Sequence, residues 1–504
     1  MKYLINNDTK DIVDRILDIN HVRLEDLDVS NFFVDYNNQL LIDFKEKLLQ
    51  NQNDKFLIVG DYDCDGICAT AIMKKLLTDM NIEHNYYIPS RSNEGYGVNM
   101  KIVQTAVDNN FNALLLLDNG VSAEEEIAYA KKNHIKVYII DHHEYVDVPD
   151  VDGFLHPNLF DSAYSDMCAG GLSALFSNSI REDDLTIVLG GLATLADMVS
   201  VFDYNRYLMK KMIEILNTKN VYQINLLAKT KTYDYDKLSF DVIPKINAVS
   251  RLDEFLNVNM VVKYLLADED YCLKNVVAIN KINDARKELS KNESIIASSM
   301  FDETKNINVL VSSEFKEGLC GLIANKLLTQ YHKPVIVLSI KDDLLVGSCR
   351  SIPGFNIYEY LKKCEGIFEA FGGHALAVGL SIRKDNLEIL NKYIETHPIE
   401  IEEVSEDVLL IDSKEVDFEL FNCINSLKPF GTNFKEPLFM INGVNYKRKF
   451  IVGNKYPKYY VNEICDAISF NSNNIDKQFE SIIGKIKKDE YHNNKLSILI
   501  EDLL

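Results

Sequence analysis

The chain has 504 residues, and none of its apolar stretches reaches the roughly 20 residues that a membrane helix requires. Its formal net charge of -22 excludes a protein that coats nucleic acid with a uniformly basic surface, although it leaves room for a local basic groove. The acidic, polar N-terminus lacks the regions of a signal peptide, and the nine cysteines form no C-x-x-C pair, so we expect a cytoplasmic protein with reduced thiols and no membrane partner.

The first predicted domain alternates apolar strands with amphipathic helices. The apolar runs are FLIVG (56–60), NYYI (85–88), ALLLL (113–117) and KVYII (136–140). Because polar residues do not alternate within them, they favour an α/β domain with a doubly wound parallel sheet that is covered on both faces. Such domains bind their ligands beyond the carboxyl ends of the strands.

A long helix and two further domains are predicted after this sheet. The run 269–300 has helical spacing and no Pro or Gly, which indicates a connecting helix. A second α/β domain is indicated by apolar runs at 307–313, 334–339, 344–351 and 376–382, with a helix near 318–331. Tyr, Phe and Ile at strand-like spacing then predict a small β domain. We place the parts at 1–50 (N-terminal leader segment), 51–262 (first α/β domain), 263–304 (connecting helix), 305–396 (second α/β domain) and 397–504 (small β domain).

Three carboxylates follow the first strand directly, at Asp61, Asp63 and Asp65. Like charges this close must be neutralised by protonation or by a cation. The alternative is the calcium loop D-x-D-x-D-G. That loop requires Glu at its twelfth position, where this chain has Ile72, and a strand replaces its first helix.

Acidic and histidine residues also follow the next two strands. Asp118 comes after 113–117, and Asp141-His142-His143 comes after 136–140, so parallel strands would place them on one rim. A single Asp at such a point fits a helix cap, and a His pair fits buried core histidines, but three strand ends together favour a metal site. Asp197 lies in an apolar helical run, where a cation would offset the cost of burying its charge.

Carboxylates and imidazoles without cysteine suit Mn²⁺ or Mg²⁺ better than structural zinc. Two such ions can activate a bridging water and stabilise the leaving oxygen of a phosphate ester. We expect Asp118 to bridge the two ions, since its strand should lie between the other ligand groups. The residues thus predict a two-ion phosphoesterase.

These residues resemble the DHH phosphoesterase superfamily, whose motif stands here at 141–143. Further motifs are similar to those of the RecJ single-stranded-DNA exonucleases and are collinear over residues 50–440. They are VGDYDCDG, IPSRSNEGYG (88–97), LDNG, HPN (156–158), VIPKINAVSRLDE (242–254), GSCRSIPGF (347–355), FGGHALAVGLSI (371–382) and PFGTNFKEP (429–437). The resemblance implies that the first domain is a DHH domain, the second a nucleic-acid-binding DHHA1 domain and the last an OB-like domain.

The resemblance also implies the site residues. Metal ligands fall at Asp61, Asp63, Asp65, Asp118, His142 and Asp197, although other branches of the superfamily use a His further upstream than Asp61. Catalytic roles fall on Asp118, His142, His143 and His374, and substrate contacts on Arg91, Asn158, Arg251, Ser348, Arg350, Gly373 and His374. Ser348 and Arg350 would hold the 5′ phosphate. This chain departs from the family pattern at Phe315-Lys316, where Trp-His is usual, at Cys168 to Gly171, and at Ser250, where Gly is usual.

Basic and aromatic residues interleave in the last domain. They are Lys447, Arg448, Lys449, Lys455 and Lys458 with Tyr446, Phe450, Tyr456, Tyr459 and Tyr460. The pattern fits a charged groove with stacking faces for nucleic acid, and it also fits an ordinary basic β-hairpin.

The implied function is a 5′ to 3′ exonuclease that degrades single-stranded DNA to 5′ mononucleotides with two Mn²⁺ or Mg²⁺ ions. A single-stranded-DNA-binding protein and a helicase are the implied partners. Two alternatives stay open: a phosphodiesterase of short oligonucleotides or cyclic dinucleotides, and an inactive DHH scaffold that binds replication partners. An inactive scaffold is expected to have lost some of the metal-ligand residues, whereas this chain has all of them.

Overall fold

The computed structural model describes residues 2–453, 456–471, 474–489 and 495–504. The chain forms two compact units. Residues 1–28, 352–356 and 398–504 make the first, and residues 29–351 and 357–397 make the second. Within the described ranges, no helix is both long and apolar enough to cross a membrane.

The α-helices of the described residues follow in chain order. They are α1 (Ile12–Asn20), α2 (Gln39–Gln50), α3 (Cys64–Asp79), α4 (Met100–Asp108), α5 (Glu124–Lys132), α6 (Ala169–Ile180), α7 (Asp184–Asp197), α8 (Asp203–Thr218), α9 (Tyr222–Ala228), α10 (Tyr235–Lys237), α11 (Ile243–Arg251), α12 (Asn259–Leu266), α13 (Glu269–Met300), α14 (Cys320–Tyr331), α15 (Ile357–Lys362), α16 (Leu387–Thr396) and α17 (Phe418–Ser426).

The β-strands of the same residues are numbered in the same way. They are β1 (Lys2–Asn6), β2 (Phe56–Gly60), β3 (His84–Tyr87), β4 (Ala113–Leu117), β5 (Lys136–Ile140), β6 (Gly153–Leu155), β7 (Asn308–Ser312), β8 (Val335–Lys341), β9 (Leu344–Arg350), β10 (Phe368–His374), β11 (Ala377–Arg383), β12 (Ser405–Asp412), β13 (Leu438–Asn442), β14 (Lys449–Val452), β15 (Tyr456–Asn462), β16 (Cys465–Ile468), β17 (Ser481–Lys488) and β18 (Leu496–Leu503).

A parallel sheet with strand order β3-β2-β4-β5-β6 organises the first part of the second unit. Successive residues of β4 alternate between two cores: Leu115 packs with α2 and α3 on one face, and Leu116 packs with α4 and α5 on the other. Both faces are therefore covered by helices, and the prediction of a doubly wound sheet is confirmed. The strand order reverses between β2 and β4, so the ends of these strands form a topological switch point, where ligands bind in this kind of fold.

The connecting helix α13 spans 32 residues, Glu269–Met300, as the sequence predicts. It leads to a mixed sheet with order β10-β11-β9-β8-β7, in which only β7 and β8 run parallel. Ile282, Ala285 and Leu289 of α13 pack against the core of this part, which includes Leu252 and Leu319. This packing fixes α13 against both α11 and the mixed sheet.

The first unit contains an eight-stranded sheet with order β1-β12-β13-β17-β18-β16-β15-β14. The strand nearest the N-terminus, β1, pairs in parallel with β12, with Lys2 opposite Ser405. The predicted small β domain is confirmed, and the sheet also includes a strand from the start of the chain.

Candidate metal centre and anion pocket

The turn from β2 into α3 positions the first carboxylates. Asp63 is the N-cap of α3, and its Oδ1 accepts hydrogen bonds from the backbone N–H groups of Asp65 (2.9 Å) and Gly66 (3.2 Å). The carboxylate of Asp65 accepts N–H groups of Ala169 (2.9 Å) and Gly170 (2.6 Å) at the start of α6. The backbone N–H groups at the starts of two helices thus fix the orientation of both carboxylates, while burial, followed by the charge of Asp65, raises the pKa of Asp63.

Asp118 has the most constrained backbone of the cluster. It follows β4 with φ +60°, a left-handed conformation that is uncommon outside glycine, and it is 3% exposed. The hydroxyl of Tyr96 donates to its carbonyl oxygen at 2.6 Å and so holds this turn. In the described residues, Oδ1 of Asp118 and Oδ1 of Asp61 are buried without a hydrogen-bond donor. Each of these carboxylate oxygens is thus free to bind a cation.

The histidine pair follows β5 and meets the carboxylates. Nε2 of His142 lies 3.3 Å from Asp118, 3.7 Å from Asp197 and 3.8 Å from Asp65. Burial lowers the pKa of His142, which favours the neutral imidazole that binds metal. Its neighbour His143 donates from Nδ1 to Oδ1 of Asp141 at 2.8 Å.

Electrostatic repulsion within the cluster supports a metal site. Burial and then the neighbouring carboxylates raise the pKa of Asp118 well above its ordinary value, and burial followed by Asp65 and Asp63 raises the pKa of Asp197 to about 8. The ligand atoms form three overlapping groups within 4.8 Å: Asp61, Asp63 and Asp118; Asp118, His142 and His143; Asp65, His142 and Asp197. These ligands are mostly carboxylate oxygens, with imidazole in two of the three groups, and such a set fits Mn²⁺ or Mg²⁺.

The structure therefore brings together all of the predicted metal ligands, and Asp118 belongs to two of the three groups. Two supporting residues were not assigned a role from the sequence. Asp141 accepts the backbone N–H of His142 (2.7 Å) as well as the ring of His143, and Tyr96 holds Asp118. Their motifs, DHH and SNEGYG, were visible, but only the fold shows which atoms they support.

A cluster of guanidinium groups lies beside the carboxylates. Arg91 stacks over the ring of Tyr62, at 4.9 Å from its centroid, and Tyr62 lies between two of the acidic residues in the chain. Arg251 donates to the carbonyl of Gly318 at 3.1 Å. Arg350 donates to Oγ of Ser348 at 2.7 Å. Across the described ranges, none of these arginines has a carboxylate within 4.0 Å.

Unpaired guanidinium groups that lie close together repel one another, and a bound anion would offset this repulsion. Burial, followed by repulsion from the neighbouring arginines, lowers the pKa of Arg251 to about 9. Burial also lowers the pKa of Arg350. A planar guanidinium is well suited to a phosphate, which would relieve the repulsion. We name the set of Arg91, Arg251, Ser348 and Arg350 the anion pocket.

Other predicted contacts stand apart from the metal ligand groups. His374 is exposed at the end of the edge strand β10. The preceding residue, Gly373, has φ +140°, and a Cβ at this position would lie only 2.3 Å from the carbonyl oxygen of Ala377. The side chain of Asn158 is exposed, and its backbone N–H donates to Nδ1 of His156 at 3.1 Å. Neither His374 nor Asn158 belongs to a ligand group found in the described residues.

The basic, aromatic segment of the first unit divides into exposed and buried members. Lys447 and Phe450 are exposed, and Arg448 stacks over Tyr460 at 4.0 Å, whereas Lys449 lies 3.4 Å from Asp476. Tyr459 is fully buried, so it offers no stacking face. Lys458 lies 3.4 Å from Asp466 and 3.6 Å from Asp489, which neutralise its charge. Lys455 lies outside the described residues.

A doubly wound sheet whose strand ends carry this ligand set defines a metal-dependent domain of the DHH type. Residues 55–195 match the N-terminal domain of the DHH family, residues 295–397 match the DHHA1 domain and residues 409–502 match the RecJ OB domain. With these three domains in this order, the chain belongs to the RecJ family.

Two kinds of relative agree with this placement. The chain is 27% identical over 488 residues to the single-stranded-DNA-specific exonuclease RecJ of Bacillus subtilis (strain 168), covering 90% of this chain and 61% of that protein. It resembles the crystal structure of RecJ from Thermus thermophilus in complex with Mn²⁺ (TM-score 0.81, 20% identity, 100% of this chain and 79% of that one). The Mg²⁺ complex of the same protein gives a TM-score of 0.75 at 19% identity, with 100% of this chain and 78% of that one covered.

Proposed function

We propose that this chain is a metal-dependent exonuclease that degrades single-stranded DNA from the 5′ end and releases 5′ mononucleotides. The observation that carries the proposal is the presence of two uncompensated charge clusters in one unit. The Oδ1 atoms of Asp61 and Asp118 are buried without a hydrogen-bond donor, and the arginines have no carboxylate within 4.0 Å, both among the described residues. A divalent cation and a phosphate compensate the two clusters together. A nucleotide chain with a terminal phosphate supplies the anion that the arginines require.

The metal ligands in this proposal are Asp61, Asp63, Asp65, Asp118, His142 and Asp197. Two Mn²⁺ or Mg²⁺ ions held there would supply the activated water and the charge stabilisation that phosphodiester hydrolysis requires. Asp118 is shared between ligand groups, which supports its role as the bridging carboxylate. We assign His143, whose ring is held by its hydrogen bond to Asp141, to contact with the scissile phosphate.

The anion pocket supports the proposed direction of degradation, which starts at the 5′ end of the DNA. Ser348 and Arg350 are joined by a hydrogen bond of 2.7 Å and carry the contact with the 5′ phosphate, together with Arg91 and Arg251. Gly321 faces this pair, since a Cβ at that position would lie 3.0 Å from Nη2 of Arg350. We assign His374, Gly373 and Asn158 to the DNA backbone around the scissile bond.

The single-stranded-DNA substrate is supported by family membership and by the exposed Lys447 and Phe450 of the OB domain. The proposed domains are the DHH domain at 51–262, the connecting helix at 263–304, the DHHA1 domain at 305–396 and the OB-like domain at 397–504, and residues 1–28 share a compact unit with the OB-like domain. A strand-specific nuclease requires unwound DNA, so a helicase and a single-stranded-DNA-binding protein are its expected partners, and the cytoplasm of a bacterium is its expected location.

The test is digestion of a single-stranded oligonucleotide with a 5′ phosphate and a 3′ fluorophore in the presence of Mn²⁺, in parallel with blunt duplex DNA and a ribonucleotide trimer. The proposal predicts progressive shortening of the labelled single strand and an intact duplex. Cleavage of the trimer alone would instead indicate a small-substrate phosphodiesterase, and no cleavage of any substrate would indicate a scaffold. Asp118→Ala is the inactive control, and Asp147→Ala, at an exposed carboxylate, is the matched active one.

A further inference from the structure

A fourth guanidinium, on the connecting helix α13, has no assigned partner of opposite charge. Arg286 donates from Nη2 to Oδ1 of Asn283 at 2.8 Å, but its Nε is buried without an acceptor among the described residues. Over the same ranges, no carboxylate lies within 4.0 Å of it. Arg286 is partly buried, and a cation with a buried, unsatisfied N–H group and no counter-charge is destabilising unless a ligand completes it.

The packing of α13 brings this part of the helix close to Arg251 of the anion pocket. Ala285, the preceding residue, packs against the core that contains Leu252 and Leu319. Arg251 immediately precedes Leu252 and donates to Gly318, which immediately precedes Leu319. Arg286 therefore lies on the flank of the junction where Arg251 is held. In agreement with this position, repulsion by Arg286 contributes to the lowered pKa of Arg251, after burial and Arg91 and ahead of Arg350.

We propose that Arg286 is a fourth cationic member of the anion pocket and that it makes the pocket select a strand end bearing a terminal phosphate. The inference rests on the proposed function and deepens it by naming a specificity-determining residue. A terminal phosphate carries about -1.5 to -2 charges at pH 7, whereas an internal phosphodiester carries about -1. Each additional guanidinium therefore favours the terminal group over an internal one.

A purely structural role for Arg286 makes a different prediction. If the side chain served only to bind Asn283, which is 2% exposed, its replacement would change stability and would affect all DNA ends equally. A role in the pocket changes the preference between ends. The discriminating quantity is thus the ratio of affinities for 5′-phosphorylated and 5′-hydroxyl DNA.

The experiment measures binding of 3′-labelled single-stranded DNA with either end by fluorescence anisotropy, in EDTA so that no hydrolysis occurs. The variants are Arg286→Gln, Arg286→Lys and the matched control Lys287→Gln, at an exposed position one residue further along α13. We expect Arg286→Gln to lower the affinity ratio about tenfold, as for loss of one charge-assisted hydrogen bond, and to leave the affinity for the 5′-hydroxyl strand unchanged. Arg286→Lys should give an intermediate ratio and Lys287→Gln the wild-type ratio.

An unchanged ratio in Arg286→Gln, or a wild-type protein that binds both ends equally, would overturn the inference. If circular dichroism shows that Arg286→Gln does not fold, Arg286→Lys decides in its place, and a wild-type ratio in that variant overturns the inference as well. Hydrolysis with Mn²⁺ is measured separately. The wild-type protein could cleave nothing while the Arg286→Gln variant still loses the preference for the 5′ phosphate. That result would refute the proposed function and support the phosphate selectivity.

Discussion

At the scale of single residues, the site is defined by charges that the protein itself leaves uncompensated. Oδ1 of Asp61 and Oδ1 of Asp118 are buried without a hydrogen-bond donor among the described residues. Arg91 stacks on Tyr62, the residue that follows Asp61. The sequence identified these residues because strand ends and motifs mark them. It could not identify Asp141 or Tyr96 as supports, because their roles depend on which atoms the fold brings to 2.8 Å and 2.6 Å.

The buried charge of Asp118 leads to a prediction about stability and activity together. Asp118→Asn removes one of several mutually repelling carboxylates, so the metal-free protein should become more stable, by about 2–4 °C if the relief is about 1 kcal/mol. The same change removes the shared ligand, so hydrolysis should fall about a thousandfold or more. Thermal unfolding in EDTA and in Mn²⁺, with nuclease assays, measures both.

Asp147→Asn is the control for this experiment because its carboxylate is exposed, and it should change neither quantity. An Asp118→Asn protein that is less stable than wild type in EDTA would show that the carboxylate has a partner that lowers its energy. Wild-type turnover by the same variant would remove Asp118 from the metal site.

The raised carboxyl pKa values predict how pH changes the effect of metal. The pKa of Asp197 rises from its ordinary 3.8 to about 8, because of burial first and then Asp65 and Asp63. The unfolded chain releases this proton at lower pH than the folded one, so the metal-free protein loses stability as the pH rises through that interval. Bound Mn²⁺ removes the penalty. The melting temperature in Mn²⁺ minus that in EDTA should therefore be larger at pH 8 than at pH 6.

This pH dependence is checked by thermal unfolding across the interval with matched ionic strength. Asp118→Asn should flatten the difference, since it removes part of the repulsion and part of the metal site. A gap between the two melting curves that stays constant from pH 6 to pH 8 would contradict the assignment of raised pKa values to this cluster.

At the scale of elements, the sequence predicted what local pattern determines. The strands at 56–60, 113–117 and 136–140 and the helix at 269–300 agree with the structure, because runs buried on both faces and long uninterrupted helices carry strong local signals. The strand β10 was not predicted, since Gly372 and Gly373 weaken a strand pattern that pairing with β11 sustains. The strand-end residues needed only the order of the elements, which explains why the acidic and histidine residues after β2, β4 and β5 could be expected on one rim, whereas the full set of metal ligands came from the family resemblance.

The turn between β2 and α3 leads to a prediction about a backbone position that supports the metal ligands without being one of them. A Cβ on Gly66 would lie 2.6 Å from the backbone of Asp61, so Gly66→Ala should push the acidic loop away from the strand end. We expect a loss of about 1–3 kcal/mol of stability and about 10–100-fold weaker Mn²⁺ binding, although no ligand is changed. Calorimetric titration with Mn²⁺ measures the binding. Gly366→Ala, where a Cβ meets nothing within 4 Å, should behave as wild type, and normal binding by Gly66→Ala would contradict this account.

At the scale of the whole molecule, the chain does not fold as a row of consecutive segments. Residues 1–28 share a compact unit with residues 398–504, and β1 pairs with β12 from Lys2 opposite Ser405 to Asn6 opposite Leu409. Local patterns in the sequence could not reveal this pairing, because the partners are separated by the entire second unit. Arg15 adds to the connection, since Nη2 donates to the carbonyl of Leu410 at 3.0 Å.

Deletion of residues 1–9 tests this arrangement. The deletion removes β1 and the ring of Tyr3, which packs against a core formed by Val408, Leu438 and Ile483. A small domain has a total stability of about 5–15 kcal/mol, so loss of a paired strand should leave the first unit largely unfolded or lower its melting temperature markedly. The metal ligands all lie in the second unit, so its stabilisation by Mn²⁺ should persist.

Limited proteolysis with mass spectrometry should show cleavage within 398–504 and protection of 29–351. The control is Leu4→Ser, at a side chain that is 44% exposed, and it should leave both units intact. Loss of Mn²⁺ stabilisation in the truncated protein would instead mean that the N-terminal strand supports the metal centre as well as the OB domain.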